Sequence, residues 1–238
     1  MRHARRDCWE ALARADPYWA VLTSERFRRE NLSDAAIQDF FQSGVRHVEG
    51  LFDTVRRRLD ANFAPRSVLD FGCGVGRVLL PLAERCERAV GVDVSETMLA
   101  EAREHCRRRG LSNVHLVRSD GDDLTSLGTF DLVHSFIVFQ HIPVRRGEAI
   151  ARRLVSMLNP GGVGVLHFAY ADKPEPWTLR RVIGRMITPA LRLVVPILEM
   201  HPYDLNRLSV ILQDRGIGRL HVELTDHDYY GALLFFQR

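Results

Sequence analysis

A glycine-rich segment with a carboxylate just ahead of it is the first place where the sequence could do chemistry. The stretch VLDFGCGVGR, residues 68–77, begins as a strand that contains Asp70 and continues with three glycines at alternate positions. Such glycines let a backbone approach a ligand, and the N–H groups of a following helix can bind a phosphate, a carboxylate or a ribose. The dinucleotide fingerprint G-x-G-x-x-G is not met, because the sixth position counted from Gly72 is Arg77. A P-loop is also excluded, since no Gly-Lys-Ser/Thr follows.

Two further acids follow strand-like runs at regular intervals. Asp93 ends the run RAVGVD, and Asp120 lies in RSDGDDL. An acid at the end of a second parallel strand can accept hydrogen bonds from both hydroxyls of a ribose. Asp70 would repel a pyrophosphate but attract an ammonium group, and Asp120 could accept from the amino group of an adenine. A ligand with an ammonium group, a ribose and an adenine is S-adenosylmethionine.

The elements that must position these acids are strands alternating with helices. From Ser67 onward the hydrophobic pattern switches repeatedly between strand and helix, which predicts parallel strands joined by crossover helices. Near the C-terminus, RLHVELTD and YYGALLFFQR are separated by a short turn, so they must pair antiparallel. Ahead of the sheet, helical spacing over residues 33–63 predicts a long helix that starts at the N-cap Ser33.

The sequence resembles the class I S-adenosylmethionine-dependent methyltransferases, in particular the bacterial enzymes that act on small molecules. The resemblance covers roughly residues 66–170 and the C-terminal helix and hairpin. It rests on the segments VLDFGCGVGR, GVDVSETML, RSDGDDL, FDLVHSFIVFQHI and LNPGGVGVLHF. It implies an α/β fold with a doubly wound, seven-stranded, mostly parallel sheet and a C-terminal antiparallel hairpin. It also implies a methyltransferase domain over residues 65–238, with a helical lid region at 1–64 and a lid insertion at 172–200.

The resemblance further implies which residues bind the cofactor, S-adenosylmethionine. The expected contacts are Asp70, Gly72 and Gly74 at the methionine part, Asp93 at the ribose, Val94 and Met98 against the adenine, Asp120 and Gly121 at the adenine edge, and Ser135 and Phe136, through backbone, at the amino group or sulfonium. Met98 could equally be ordinary helix core.

Methyl transfer from a sulfonium is an in-line displacement whose reactivity comes from the cofactor. The protein supplies proximity, alignment and exclusion of water, and a general base is needed only where the nucleophile must lose a proton. His141, which follows the fourth predicted strand, is the candidate catalytic base. The alternative is that His141 fixes its loop or touches the cofactor. We expect no metal, because the fourth strand lacks the terminal acid of metal-dependent catechol-type enzymes.

Absent motifs restrict the choice of acceptor. No Asn/Asp-Pro-Pro-aromatic tetrad follows the fourth strand, where HSFIVF stands instead. Methyltransferases that act on nucleic acid bases or glutamine use that tetrad, so a small-molecule acceptor is expected and nucleic acid is not. The alternatives kept open are an NAD(P)-dependent oxidoreductase and an RNA-modifying methyltransferase. The sequence does not choose between O-, N- and C-methylation, or indicate an oligomeric state.

Composition agrees with a single α/β domain. The chain has 238 residues and a net charge of +3, and its four cysteines form no C-x-x-C pair. The N-terminus lacks the apolar stretch of a signal peptide and no membrane span is evident, so a cytoplasmic bacterial protein is expected. The arginines of residues 172–200 permit contact with a membrane, but prolines at 189 and 196 interrupt the segment, which favours a lid.

Overall fold

The computed structural model describes residues 2–173, 200–227 and 229–238. The predicted insertion at 172–200 lies almost wholly outside these residues. Seven strands are described: β1 Ser67–Phe71, β2 Arg88–Asp93, β3 Val114–Arg118, β4 Phe130–Ser135, β5 Leu158–Asp172, β6 Arg219–Asp226 and β7 Tyr229–Gln237. The described α-helices are α1 Arg2–Ala15, α2 Pro17–Val21, α3 Asp34–Arg58, α4 Leu79–Ala83, α5 Glu96–Arg108, α6 Val144–Ser156 and α7 Leu205–Gln213.

The strands form one sheet in the order β3-β2-β1-β4-β5-β7-β6. The first five pair in parallel, while β7 runs antiparallel to both β5 and β6. The strand order reverses between β1 and β4, and in open α/β sheets ligands bind at the carboxyl ends of the strands beside such a switch point. The predicted α/β fold with a C-terminal antiparallel hairpin is therefore confirmed.

Each face of the sheet is covered by its own layer of helices. On one face, Val68, Leu132 and Val165 pack against Val48 and Phe52 of α3. On the other face, residues such as Leu69, Val133 and Leu166 pack against α6 and α7. Strand residues two apart share a face, so the alternating pattern of each strand decides which layer a side chain meets.

The predicted helix starts agree with the structure. Ser33 caps α3 by accepting a hydrogen bond from the Ala36 N–H, and Ser95 caps α5 by accepting from the Met98 N–H. Gly110 follows α5 with a φ of 67°, the left-handed conformation that ends many helices. Among the described residues, no helix has both the length and the apolar character needed to cross a membrane.

The segment NPGG, whose residue types are typical of turns, lies inside strand β5. β5 already starts at Leu158, which pairs with Phe130, and the pairing register then shifts before Leu132 meets Val163. Gly161 has a φ of 77° within this stretch. The turn residues are thus built into the strand as an irregularity, because the flanking apolar residues pair on both sides of them.

Candidate functional site

A cavity of about 1070 Å³, counting its open mouth, lies at the carboxyl edge of the strands. Its wall comes from the loops after β1, β2, β3 and β4 and from the N-terminal helices. The wall residues are Trp9, Ala20, Val21, Phe71, Gly72, Gly74, Arg77, Val92, Asp93, Val94, Ser95, Met98, Ser119, Asp120, Phe136, Ile137, Val138, His141, Ile142, Pro143 and Arg146. Eight of the eleven residues predicted for the site are on this wall.

The glycine-rich loop folds tightly over the start of the next strand. Gly72, Gly74 and Gly76 all have positive φ, at 79°, 52° and 91°. A Cβ built on Gly72 would lie 2.3 Å from a methyl carbon of Val138, so a side chain there would collide with the loop after β4. The sequence therefore needs glycine at position 72 for both conformation and space, and the bare backbone faces the cavity.

Asp93 ties the glycine-rich loop to the end of β2. Its Oδ2 accepts from the Gly74 N–H and its Oδ1 accepts from the Ser95 N–H, both at 2.9 Å. Burial raises the pKa of Asp93, although these backbone hydrogen bonds act in the opposite direction. A carboxylate has about four acceptor positions. Positions therefore remain with which Asp93 can accept from the hydroxyls of a ligand in the cavity.

The wall beyond Asp93 is apolar on one side and charged on the other. Val94 and Met98 line the apolar side, and Met98, 4% exposed, is also part of the core beneath α5. Met98 thus belongs to the core and also borders the cavity, and its contact with an adenine stays a prediction. On the charged side, Oδ2 of Asp120 lies 2.7 Å from Nη2 of Arg146. Asp120 is therefore already ion-paired where it was expected to meet an adenine edge.

The loop after β4 closes the cavity with strained backbone. Ile137 has a φ of 60°, a conformation that is unfavourable for a β-branched residue and is found where surrounding structure enforces it. Phe136 and His141 line the cavity on either side of this point. The His141 ring packs edge-on against Trp9, with centroids 5.1 Å apart. The N-terminal helix and the β4 loop thus meet across the site.

Three predicted cofactor residues do not lie on the cavity wall. Asp70, 3% exposed, places Oδ1 2.7 Å from Nδ1 of the buried His134. The Ser135 hydroxyl donates to the carbonyl of Phe71, and a Cβ on Gly121 would meet Ile150 at 2.7 Å, so both residues serve packing below the wall. The Asp70 and Ser135 side chains and the Gly121 position thus face the protein interior. The expected cofactor contacts of these residues, through backbone for Ser135, stay predictions.

Sequence reasoning missed several wall residues. Arg77 is 6% exposed, and its Nε has no hydrogen-bond partner among the described residues. Burial lowers the pKa of Arg77 to about 10, so it keeps its charge at neutral pH. The signal was present, since a charged residue directly after Gly76 begins an otherwise apolar run. Trp9 carried no comparable signal, because its place on the wall depends on how α1 folds back.

Glu10 holds α1 at the edge of the site. It accepts from the hydroxyls of Ser95 at 2.7 Å and Thr97 at 2.6 Å, and from the Thr97 N–H at 3.3 Å. Burial would raise the pKa of Glu10, but the hydrogen bonds from Thr97 and Ser95 outweigh it and lower that pKa to about 2. A carboxylate at the N-terminus of α5 is also favoured by the helix dipole. The neighbouring Trp9 is thereby kept on the cavity wall.

Residues 68–162, from β1 to the start of β5, match the sequence profile of a family described as a methyltransferase domain. Nocamycin O-methyltransferase of Saccharothrix syringae is 36% identical over 121 residues, which are 47% of this chain and 41% of that protein. The 23S rRNA (uracil(1939)-C(5))-methyltransferase of Marinomonas is 31% identical over 123 residues, 47% of this chain and 28% of that protein. The matched region thus spans less than half the length of these curated relatives.

The fold is shared over a greater length. The crystal structure of magnesium protoporphyrin IX methyltransferase from Synechocystis PCC 6803 with bound S-adenosylhomocysteine superimposes with a TM-score of 0.68. The superposition covers 100% of both chains at 22% sequence identity. The seven-stranded architecture of this chain, including its N-terminal helices, is therefore one that solved methyltransferases adopt.

Proposed function

We propose that this chain, a class I methyltransferase by its domain and its fold, transfers a methyl group from S-adenosylmethionine to a small-molecule acceptor. The observation that carries the proposal is the position of Asp93 on the cavity wall, where it is hydrogen-bonded both to the glycine-rich loop and to the N-cap of α5. Its free acceptor positions suit the two ribose hydroxyls. Val94 and Met98 would then pack against the adenine, and Gly72 and Gly74 would face the methionine part.

The enclosure of the site supports a small acceptor. Trp9 and Val21 from the N-terminal helices line the same cavity as the glycine-rich loop. We therefore propose that residues 1–64 act as a lid over the bound molecules. Several curated relatives are named for small-molecule methylation, such as nocamycin O-methyltransferase. Other relatives are named for methylation of 23S rRNA, and RNA is thus the second candidate acceptor.

The protein contributes to methyl transfer chiefly through geometry. The cofactor supplies the electrophilic methyl group when bound. The rigid loop after β4 and the helices above it exclude water and align the acceptor with the sulfonium, which favours in-line attack. His141 lies on the wall beside Trp9, and we keep it as a candidate for contact with the reacting groups.

Calorimetric titration with S-adenosylhomocysteine and with NADH tests the cofactor assignment. We expect micromolar binding of S-adenosylhomocysteine and none of NADH. Asp93→Ala should abolish S-adenosylhomocysteine binding while the circular dichroism spectrum stays that of a folded protein. Binding of NADH alone would overturn the proposal in favour of an oxidoreductase, and normal affinity in Asp93→Ala would overturn the ribose assignment.

A further inference from the structure

The face of the sheet that packs against α3 changes from apolar to ionisable toward the carboxyl ends of three adjacent strands. In each strand an apolar residue is followed, two positions later and on the same face, by an ionisable one. The pairs are Val68 and Asp70 in β1, Leu132 and His134 in β4, and Val165 and His167 in β5. Both histidines are 0% exposed and Asp70 is 3% exposed. Burying ionisable groups is costly, so their alignment beside a cavity indicates a functional role.

Two hydrogen bonds connect two of these side chains, Asp70 and His134, with His47 of α3 in a series that begins at a carboxylate. Oδ1 of Asp70 lies 2.7 Å from Nδ1 of His134, and Nε2 of His134 lies 3.0 Å from Nε2 of His47 on α3. A carboxylate can only accept, so Nδ1 of His134 carries a proton, and in neutral His134 Nε2 is then an acceptor. His47 must in turn donate from Nε2. Its Nδ1 is left as a lone pair that can take a proton.

The surroundings keep His47 neutral, so its lone pair is available, but they also make His47 a weak base that must pass a proton on. Burial lowers the pKa of His47 well below its usual value, and nearby groups add to the effect. These groups come from each element packed around it and are, in decreasing order of effect, His134 of β4, Arg77 after the glycine-rich loop, His167 of β5 and His227 between β6 and β7. The carboxylate of Asp70 lies beyond His134 in the hydrogen-bonded series. There it can stabilise a proton that has moved from His47 to His134.

Phe136 places this chain next to the cavity. Its ring is part of the cavity wall, and it also packs on the His47 ring with centroids 4.2 Å apart. The guanidinium of Arg77, on the same wall, lies 5.8 Å from the Phe136 ring. His47 itself keeps partial exposure, unlike His134. The outer end of the hydrogen-bonded chain is thus adjacent to the end of the cavity where Phe136 and Arg77 meet.

We propose that His47, which lies behind Phe136, takes up the proton of a hydroxyl acceptor bound at the Phe136 end of the cavity through one bridging water, with His134 and Asp70 as positioning residues. This inference rests on the proposed methyl transfer and narrows it to O-methylation. An amine acceptor that arrives neutral needs no base for its attack, whereas an alcohol or phenol must lose its proton. A buried chain of Asp, His and His is suited to the second task.

The step balances without a further reactant. A lone pair of the hydroxyl oxygen forms the bond to the methyl carbon as the carbon–sulfur bond breaks and its electron pair stays on sulfur. The bridging water takes the hydroxyl proton and gives one of its own protons to Nδ1 of His47, and the Nε2 proton of His47 passes to Nε2 of His134. The positive charge then lies on His134, 2.7 Å from the carboxylate of Asp70. Release of the product returns the proton to solvent by the reverse route.

This assignment gives His47 the role that the sequence suggested for His141. His141 lies on the wall against Trp9, between the N-terminal helix and the β4 loop, which suits the alternative role of shaping the site. His47 in addition has a hydrogen-bonded route to a buried carboxylate. The two histidines can be separated by mutation, because one is on the wall and the other behind Phe136.

The test measures transfer of a tritiated methyl group from S-adenosylmethionine to matched phenols and anilines that share a skeleton. It compares the wild type with His47→Gln, His141→Gln and the exposed His115→Gln between pH 5 and 9. Gln at position 47 can still donate to His134 but cannot take a proton. S-adenosylhomocysteine affinity is measured for each protein as the check on folding and on the cofactor site.

We expect wild-type transfer to phenols and not to anilines, with a rate that varies little between pH 6 and 8. In His47→Gln the rate should fall by about 100-fold, with unchanged S-adenosylhomocysteine affinity. The residual rate should rise about tenfold per pH unit, because only ionised phenol then reacts. His115→Gln should match the wild type, and His141→Gln should keep the wild-type pH profile.

Two results would overturn the inference without touching the proposed function. One is a His47→Gln protein with wild-type turnover and pH profile, and the other is transfer to anilines alone. A wild-type protein that does not bind S-adenosylhomocysteine would instead overturn methyl transfer itself, and the base assignment with it.

Discussion

The carboxylate of Asp70 lies 2.7 Å from Nδ1 of His134 and is turned away from the cavity that the adjacent glycine-rich loop lines. The first acid of the segment VLDFGCGVGR is thus separated from the glycines it precedes. The glycines present bare backbone to the site, while the acid is the inner end of a chain of ionisable side chains under α3.

Asp70→Asn should therefore leave cofactor binding nearly intact. We expect the affinity for S-adenosylhomocysteine to change by less than about threefold, because the Asp70 side chain is not on the cavity wall. Asp93→Asn should instead lower this affinity tenfold or more, since hydrogen bonds to a charged group contribute about 1.5–3 kcal/mol. Titration calorimetry of both variants at one pH measures this. Equal losses in the two variants would show that Asp70 contacts the cofactor after all.

Gly72→Ala should destabilise the protein more than Gly110→Ala. Both glycines have positive φ, at 79° and 67°, so each substitution meets a similar backbone penalty of about 1–2 kcal/mol. Only at Gly72 would the new Cβ collide, 2.3 Å from Val138, whereas nothing lies within 4 Å at Gly110. Urea unfolding should show the larger loss for Gly72→Ala, and that variant should also bind S-adenosylhomocysteine more weakly. Equal losses of stability would mean that Val138 and the loop after β4 move aside without a measurable change in the free energy of unfolding.

Much of the fold could be predicted from the sequence because local pattern and topology agree. The alternation of strands and helices indicated a parallel sheet, the short turn before β7 indicated an antiparallel hairpin, and Ser33 and Ser95 marked helix starts. Each of these features depends on neighbouring residues alone. The order β3-β2-β1-β4-β5-β7-β6 was not predicted, because the spacing of residues along the chain does not specify which strands become neighbours.

The sequence predicted the candidate site only at residues whose position follows from the end of a single strand. Gly72 and Asp93 are on the wall because Gly72 follows β1 at the switch point and Asp93 is the last residue of the neighbouring strand β2. The contact of Asp70 with His134 was not predictable, because His134 is 64 residues away and adjacent only through the pairing of β1 with β4. Trp9 and His47 reach the site through the packing of N-terminal helices, which no local pattern specifies.

Glu10→Ala should loosen the N-terminal helix and weaken the site indirectly. The substitution removes the acceptor for the hydroxyls of Ser95 and Thr97, so α1 loses its hydrogen bonds to the start of α5. We expect faster proteolytic cleavage within residues 1–32 and severalfold weaker binding of S-adenosylhomocysteine, because Trp9 would leave the wall. Glu25→Ala, on an exposed turn, is the matched control. Unchanged affinity together with faster cleavage would contradict the lid role proposed for residues 1–64.

The buried His167 should make the protein sensitive to acid. Burial, with smaller effects of His227 and His134, lowers the pKa of His167 from 6.5 to about 3. The unfolded chain therefore binds a proton that the folded protein does not, and the free energy of unfolding falls as pH drops from about 6.5 toward about 3. The contribution is about 1.4 kcal/mol per pH unit in that window.

Replacing His167 with Gln isolates this contribution. Gln can keep the hydrogen bond that Nε2 of His167 makes with the Thr225 hydroxyl at 2.9 Å, but it does not titrate. Urea unfolding at pH 7, 6, 5 and 4 should show His167→Gln less stable than the wild type at pH 7. The gap should close by about 1.4 kcal/mol per pH unit below pH 6. The exposed His115→Gln serves as the control and should follow the wild type throughout. A gap that stays constant with pH would mean that His167 takes up its proton in the folded protein, which in turn requires that water reaches the face of the sheet under α3.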